Sequence, residues 1–277
     1  MTGLSKDTPI QDSTWCIYGA GRAGQARIKS LPSELGVTGT LYSARKHKLE
    51  DLLKGQQFDG VVVCTENQRH AEDIRCALSH GCHVIVEFPL ALNAIDASEL
   101  IALAKSKKLL LHCEHIGLLK PNIQWLLQTK PALSRIDVDF QGGLYRWLAD
   151  SYHSEAVAHL IVGRLQVLWA LCGPLTLKDL RYLDQGDGYS LEIDFNSQTV
   201  ESVTLKESRR PELKRRSNWQ FLSEDGTPLT FPPFEPSRLF YEDWCAALAA
   251  LSGEAHYLKE ADVIAVLALC DQIQAAL

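Results

Sequence analysis

A chain of 277 residues is long enough for two domains, and 46% hydrophobic with 22% charged residues is the composition of an ordinary globular protein. The formal net charge of −6 argues against generic nucleic-acid binding. No apolar run approaches the roughly 20 residues that a bilayer span requires, so neither a nucleic-acid nor a membrane partner is expected. Met1–Asp12 is polar, lacks the apolar core of a signal peptide and reads as a frayed tail. Eight cysteines, none in C-x-x-C spacing and several inside apolar strands or helices, read as free thiols of a reducing cytoplasm rather than disulfides or zinc ligands.

From Trp15 to about Gly117 short apolar runs alternate with helical stretches. Strands are predicted at Thr14–Tyr18, Thr38–Tyr42, Gly60–Cys64, His83–Glu87 and Leu109–Cys113. Helices are predicted at Arg22–Leu31, His47–Lys54, Gln68–Ser79 and Ala94–Ser106. Runs such as Val61-Val-Val-Cys64 are apolar on both faces, as strands of a buried parallel sheet must be. The alternation predicts a Rossmann-type, doubly wound α/β sheet over residues 1–118. The pattern then changes. A helix at Leu118–Gln128 precedes a strand at Ser134–Gln141, a long apolar helix follows at Glu155–Leu171, and strands are predicted near Leu175–Leu183, Tyr189–Phe195, Val200–Leu205 and Arg216–Ser223. Helices at Ser237–Leu251 and Lys259–Ala276 close the chain. Residues 119–277 therefore read as an α+β domain on an open, largely antiparallel sheet, with the helix Glu155–Leu171 covering one face.

The first strand runs into Gly19-Ala-Gly-Arg-Ala-Gly24, in G-x-G-x-x-G register. Gly19 allows the tight turn, Gly21 lets the backbone approach a pyrophosphate, and Gly24 lets the next helix pack closely. The helix beginning at Arg22 and Ala23 turns its free N–H groups and positive dipole end toward phosphates. The second strand ends Tyr42-Ser43-Ala44-Arg45-Lys46-His47, with no acid to take a ribose 2′-hydroxyl. Ser43, Arg45 and Lys46 suit a 2′-phosphate instead, so NADPH is expected, with NADH a poorer donor. The other reading of this segment is a basic helix start at the surface.

Ligands of such sheets sit at the carboxyl ends of the strands, and three segments lie there. Thr65, Glu66, Asn67 and His70 follow the third strand; Thr65 and Asn67 suit the adenosine ribose or diphosphate, or serve as helix N-caps. Glu87 and Phe88 follow the fourth strand, near the expected nicotinamide. His112-Cys-Glu114-His115 follows the fifth. Alternate strand residues point to opposite faces, so these four do not converge on one metal ion, and no metal is expected; Glu114 or His115 is expected in the cleft, with the others packing. Glu87 and Glu114 are candidates for proton delivery or recognition of an N–H group, with a structural hydrogen bond as the alternative. The run Arg209-Arg-Pro-Glu-Leu-Lys-Arg215-Arg216 is either a solvated face or a carboxylate-binding cluster.

Gly19 to Gly24, Glu87-Phe-Pro89 and Leu111-His-Cys-Glu-His115 together resemble the Gfo/Idh/MocA oxidoreductase superfamily. Sugar dehydrogenases of that group carry Glu-Lys-Pro, with the lysine as acid–base; here Phe88 stands in that place. One branch lacks the lysine, the biliverdin reductases, and the chain resembles it more closely through Val86-Glu-Phe-Pro89 and Leu111-His-Cys-Glu-His-Ile-Gly-Leu-Leu119. The resemblance continues in Ala158-His-Leu-Ile-Val-Gly-Arg-Leu and in Pro211 to Arg216, so it covers nearly the whole chain. It implies reduction of biliverdin, or a related bilin, to bilirubin, with hydride to the central methine carbon and a proton to a pyrrole nitrogen. Arg164 occupies the place of an arginine thought to protonate the bilin; the other reading of Arg164 is an ion pair closing its helix on the sheet. Bilin contacts are expected from Phe88, His115 and Arg215, and a monomer or weak homodimer is expected. Two departures stand out: Phe88 replaces the branch's common tyrosine, and Gly117 stands where some relatives have glutamate. The alternatives are another NADP-dependent oxidoreductase of the superfamily, or a non-catalytic NADP- or bilin-binding protein.

Overall fold

In a computed structural model, which describes residues 13–144 and 157–277, the chain forms two compact units. The polar tail Met1–Asp12 and the start of the helix expected at Glu155 lie outside the described residues. The first unit holds five strands, β1 (Thr14–Tyr18), β2 (Thr38–Tyr42), β3 (Gly60–Val63), β4 (His83–Val86) and β5 (Leu111–Cys113). All are parallel, in the order β2-β1-β3-β4-β5. The crossovers contain α1 (Arg22–Lys29), α2 (Leu49–Gly55), α3 (His70–Ser79) and α4 (Ala94–Lys107). β3 is buried along its whole length and β4 along all but its first residue, which is why their sequences are apolar without alternation.

The second unit carries α5 (Pro121–Thr129), β6 (Leu133–Gly142), α6 (Val162–Cys172), β7 (Thr176–Asp184), β8 (Tyr189–Asn196), β9 (Ser202–Arg209) and β10 (Arg216–Ser223). Its sheet has the order β10-β6-β9-β8-β7, antiparallel except for the parallel pair β6–β9. Period-2 alternation sorts its faces: Ile136, Val138 and Phe140 of β6 and Leu191, Ile193 and Phe195 of β8 are buried, whereas Arg181, Glu192, Asp194 and Lys206 form ion pairs with one another on the other face. The long apolar helix is not continuous. Residues Val157–Ile161 form a 3-10 segment before α6.

The two closing helices are α7 (Leu239–Leu251) and α8 (Glu260–Ala276). A contiguous second domain from residue 119 to the end does not describe the chain: Pro236–Ile264 belongs to the first unit. The reason is a buried stripe on α7. Trp244, Ala247 and Leu248 pack with Trp15, Ile17, Val62 and Ile85 of the parallel sheet, and the Trp15 and Trp244 rings meet edge to face at 5.1 Å. Asp243 lies in the same stripe, fully buried, and pairs with the equally buried Arg27 of α1 at 2.6 Å. The rest of α8 belongs to the second unit, where Gln274 accepts a hydrogen bond from the Ala158 amide at 3.1 Å.

Removing one member of a buried ion pair strands the other, at a cost of roughly 3–5 kcal/mol. Asp243→Ala is therefore expected to lower the unfolding free energy by about that amount in urea denaturation; a loss within experimental error would show that Arg27 finds another partner.

Candidate functional site

The glycine loop of the first unit has the geometry of a dinucleotide cradle. Gly19 has a φ of +116°, and a Cβ there would stand 2.3 Å from the Cys64 carbonyl oxygen. A Cβ on Gly24 would stand 1.9 Å from the carbonyl oxygen of Gly19, so only glycine lets α1 approach the loop. At Gly21 nothing lies within 4 Å of the corresponding position, which is the space a pyrophosphate needs. No side chain caps α1 and no acid occupies its first turn, so the N–H groups and the dipole at Arg22 and Ala23 favour an anion. These residues fit a bound nicotinamide dinucleotide.

Beyond β2, the Lys46 and His47 amides donate to the Ser43 carbonyl at 3.0 Å, tightening the turn that displays Ser43, Arg45 and Lys46. Arg45 is 88% exposed, and its nearest acid is Glu66 at 3.9 Å. A pair so open to water holds Arg45 weakly. The structure spends two of the other candidates on the fold. The Thr65 hydroxyl donates to Asp73 at 2.7 Å instead of capping a helix, and no side chain caps the 3-10 turn Asn67–Arg69. Both ring nitrogens of buried His70 face backbone carbonyls, those of Pro89 at 2.7 Å and Thr65 at 3.1 Å. Burial lowers the His70 pKa.

Sequence reasoning left Arg27, Asp243, His256 and Tyr257 unremarked and treated His112 as packing, yet these residues form the polar centre of the unit. Arg27 Nε meets Glu87 Oε1 at 2.6 Å and Nη1 meets Asp243 Oδ2 at 2.6 Å. Tyr257 donates to Asp243 Oδ1 at 2.6 Å, and the His115 amide donates to Tyr257 at 3.0 Å. The imidazoles continue the network. The Leu258 amide donates to His256 Nδ1 at 2.9 Å and the Leu258 carbonyl oxygen lies 2.8 Å from the same nitrogen; His256 Nε2 meets His112 Nδ1, and His112 Nε2 meets Asp243 Oδ1 at 2.9 Å. Coulombic attraction to His112 and Arg27 outweighs burial and holds the Asp243 carboxyl well below the usual range. A readable signal existed: Asp243 interrupts the apolar stripe shared with Trp244 and Ala247, and a buried acid requires a cation.

Glu87 is thus tied to Arg27, the structural alternative for that residue. Glu114 differs. It is buried, accepts the Ile116 amide at 2.7 Å, and is driven well above the ordinary carboxylate range by burial and then by the charge of Glu87, against Arg27. It retains a proton to higher pH than an exposed glutamate. His115 stacks on Phe88, centroids 5.8 Å apart and 16° from parallel. Its Nε2 lies 3.6 Å from Cys113 Sγ, and its Nδ1 is buried with no hydrogen-bond partner among the described residues. Burial pushes this imidazole down to about 3, so it is neutral and holds an unspent polar atom beside Phe88.

In the second unit Arg164 of α6 lies with its guanidinium 4.1 Å from the centroid of the Phe140 ring and donates to the Leu160 carbonyl at 3.0 Å and to Glu207. Arg209 covers the same ring at 4.9 Å. The basic run is therefore not one exposed segment: Arg209 is buried, Arg210 donates to Gln185 at 2.5 Å, and Arg215 is exposed. Burial, then the neighbouring charges of Arg209 and Arg215, pushes Arg164 down to about 9, still cationic at neutral pH. Burial and the charges of Arg215 and Arg164 also lower Lys120. The cluster is a local excess of positive charge beside an aromatic face.

Comparison with known proteins is consistent with this geometry. Residues 8–115 match the model of the Gfo/Idh/MocA oxidoreductase family, NAD-binding Rossmann fold. The mouse protein biliverdin reductase A is 30% identical over 217 residues, 72% of each chain. Its human counterpart is 27% identical over 230 residues, 76% of each. Among solved structures, biliverdin reductase from Synechocystis sp. PCC 6803, in complex with biliverdin and NADP+, superposes with a TM-score of 0.73 at 20% identity, covering 94% of this chain and 98% of that one. UDP-N-acetylglucosamine 3-dehydrogenase from Acidithiobacillus ferrooxidans gives 0.76 at 17%, covering 96% and 98%. The structural likenesses establish a shared fold.

The buried imidazoles make stability pH-dependent. An unfolded histidine takes up a proton near pH 6.5, whereas His256 and His115 refuse it until about 4 and about 3. Their contribution is complete above about pH 6.5 and is lost as the pH falls toward 4. Glu114, which retains its proton in the fold, slopes the opposite way but is one group against two. The urea midpoint is expected to drop across this window, and less steeply in His256→Gln; equal slopes would assign the loss to other groups.

Proposed function

Because the chain belongs to the biliverdin-reductase branch of the Gfo/Idh/MocA oxidoreductase family, and is accordingly an NAD(P)H-dependent oxidoreductase, we propose that it reduces biliverdin, or a closely related linear tetrapyrrole, to bilirubin with NADPH. The observation that carries this reading is the cation cluster of the second unit. Arg164, Arg209, Arg215 and Lys120 gather there, two of them on the Phe140 ring, and burial followed by the charges of their neighbours lowers Arg164 and Lys120. Excess positive charge beside an aromatic surface suits a flat conjugated ligand bearing two propionates, since arginine binds carboxylates through paired hydrogen bonds. A neutral sugar offers such a cluster nothing. Phe88, in the position of the sugar dehydrogenases' lysine, further removes the proton carrier of alcohol–ketone chemistry.

The bound dinucleotide would supply a hydride to the central methine carbon, and one proton must reach a pyrrole nitrogen. The residues of the chain supply orientation and charge. Gly19, Gly21 and Gly24 shape the diphosphate cradle, and Ser43, Arg45 and Lys46 receive the 2′-phosphate. Phe88 and His115 form a stacked apolar wall that excludes water. Glu114 keeps a proton that an ordinary carboxylate would have lost, and Arg164 donates hydrogen bonds to the bilin, more strongly for having its pKa lowered. Arg215 and Lys120 meet the propionates.

The test is absorbance of the purified protein with biliverdin and either NADPH or NADH. Loss of the long-wavelength bilin band with growth of a bilirubin band, faster with NADPH, is expected. A shifted bilin spectrum without turnover would point to a binding protein, and neither signal would return the substrate to the wider oxidoreductase family. For the cofactor, the double variant Arg45→Ala/Lys46→Ala is expected to raise KM for NADPH roughly 10-fold while leaving NADH nearly unchanged; an unaltered preference would refute the phosphate assignment.

A further inference from the structure

Along β9 the alternation that buries Val203 and Leu205 continues to Glu207 and Arg209, so an acid and a base end the inward face of the sheet. The Glu207 side chain is fully buried and accepts from three donors: Arg164 Nη2 at Oε2, and Tyr189 Oη at 2.8 Å and Arg209 Nε at 2.5 Å, both at Oε1. Phe140 stands opposite Glu207 in the β6–β9 pairing and carries both guanidinium groups on its ring. Arg164 is therefore held by an aromatic face and, through Nη2, by a carboxylate and a backbone carbonyl. Its Nε is buried and has no acceptor among the described residues. A buried donor without a partner is costly in a folded protein. Here the guanidinium is pinned at one nitrogen while another donor stays unspent, as a group oriented for an absent acceptor would be.

We propose that Glu207 is a positioning residue: through Arg164 Nη2 it fixes the plane of the guanidinium over Phe140 and leaves Nε for a ligand oxygen or nitrogen. The role rests on the reading of Arg164 as a bilin-contacting group. Glu207 touches no ligand itself. Tyr189, whose hydroxyl donates to the carboxylate, and Arg209, which balances its second oxygen, keep Glu207 from following Arg164 when a ligand arrives. One carboxylate facing two buried guanidinium groups leaves a net positive charge, so Glu207 orients Arg164 without cancelling the attraction for an anionic substrate. It also opposes the effect of burial on Arg164, because a carboxylate in contact favours the protonated form.

The test uses Glu207→Gln, Glu207→Asp and Tyr189→Phe in the full chain. Glu207→Gln is expected to lower kcat by between about 10- and 100-fold, since misaimed groups lose rate in that range, while KM for biliverdin stays level or falls because positive charge is gained. The alkaline limb of kcat/KM should move down by about one pH unit as Arg164 loses its counter-charge, and Glu207→Asp should restore that limb. An unchanged limb, or a fall in kcat matched by a rise in KM, would overturn the positioning role and leave a purely structural ion pair. A second readout needs no substrate. Phenylglyoxal attacks neutral guanidines, and peptide mapping reads its rate at Arg164. That rate should rise several-fold in Glu207→Gln and more modestly in Tyr189→Phe; an equal rate in all variants overturns the proposal. If Glu207→Gln does not fold, Glu207→Asp and Tyr189→Phe carry the same comparison. Absence of biliverdin turnover in the unaltered protein would remove the bilin reading, and the mapping would still decide whether Glu207 pins Arg164.

Discussion

A guanidinium shut away from water has to be met by carboxylates, and Arg27 draws two of them. Glu87 comes from the end of β4 and Asp243 from α7, separated from Arg27 by 60 and 216 residues. Through Asp243 the demand spreads to His112, Tyr257 and His256, each needing a partner that the previous one provides. Asp243 is neutralised on one side by a permanent cation and hydrogen-bonded on the other by an imidazole and a phenol, so it remains charged in a dry interior. Trp244, the next residue, lies edge to face against Trp15, and apolar packing and ion pairing therefore seat α7 together. This explains why a segment from the far end of the chain completes the first unit.

The same network sets the chemistry at the rim of the parallel sheet. Arg27 makes its ion pair with Glu87 rather than with Glu114, and burial followed by the charge of Glu87 drives the Glu114 carboxyl well above the ordinary range. His115 is held by its backbone through Tyr257, with its ring free to stack on Phe88. Phenylalanine in place of a tyrosine leaves that wall apolar, and the hydrogen-bonding capacity of the region resides in His115 Nδ1 and Glu114.

In the second unit the organising charge is of opposite sense. There one buried carboxylate serves two guanidinium groups, which leaves a surplus of positive charge. Phe140 on the inward face of β6 was legible from the period of that strand, whereas the strand expected at Val200–Leu205 stopped short of Glu207 and Arg209, which continue the inward face of β9. Arg164 was legible only through likeness to relatives, since one arginine on an apolar helix reads equally as an ion pair. The structure makes it an ion pair with Glu207 whose Nε has no acceptor among the described residues. The basic run could not be sorted by sequence, because whether Arg209 is buried and Arg215 exposed depends on where β9 ends.

The amino-acid sequence by itself determined the alternation of strands and helices, the parallel character of the first sheet, the open sheet of the second unit and the glycine turn before α1. These are set by periodicity and by steric limits on a few adjacent residues, so they can be read locally. It did not reveal that α7 returns to the first unit, nor that Arg27, Asp243 and His112 share one network. Only the tertiary structure decided those, because the partner of a buried charge is whichever group the folded chain brings within about 3 Å, and that choice follows from packing between residues far apart in sequence.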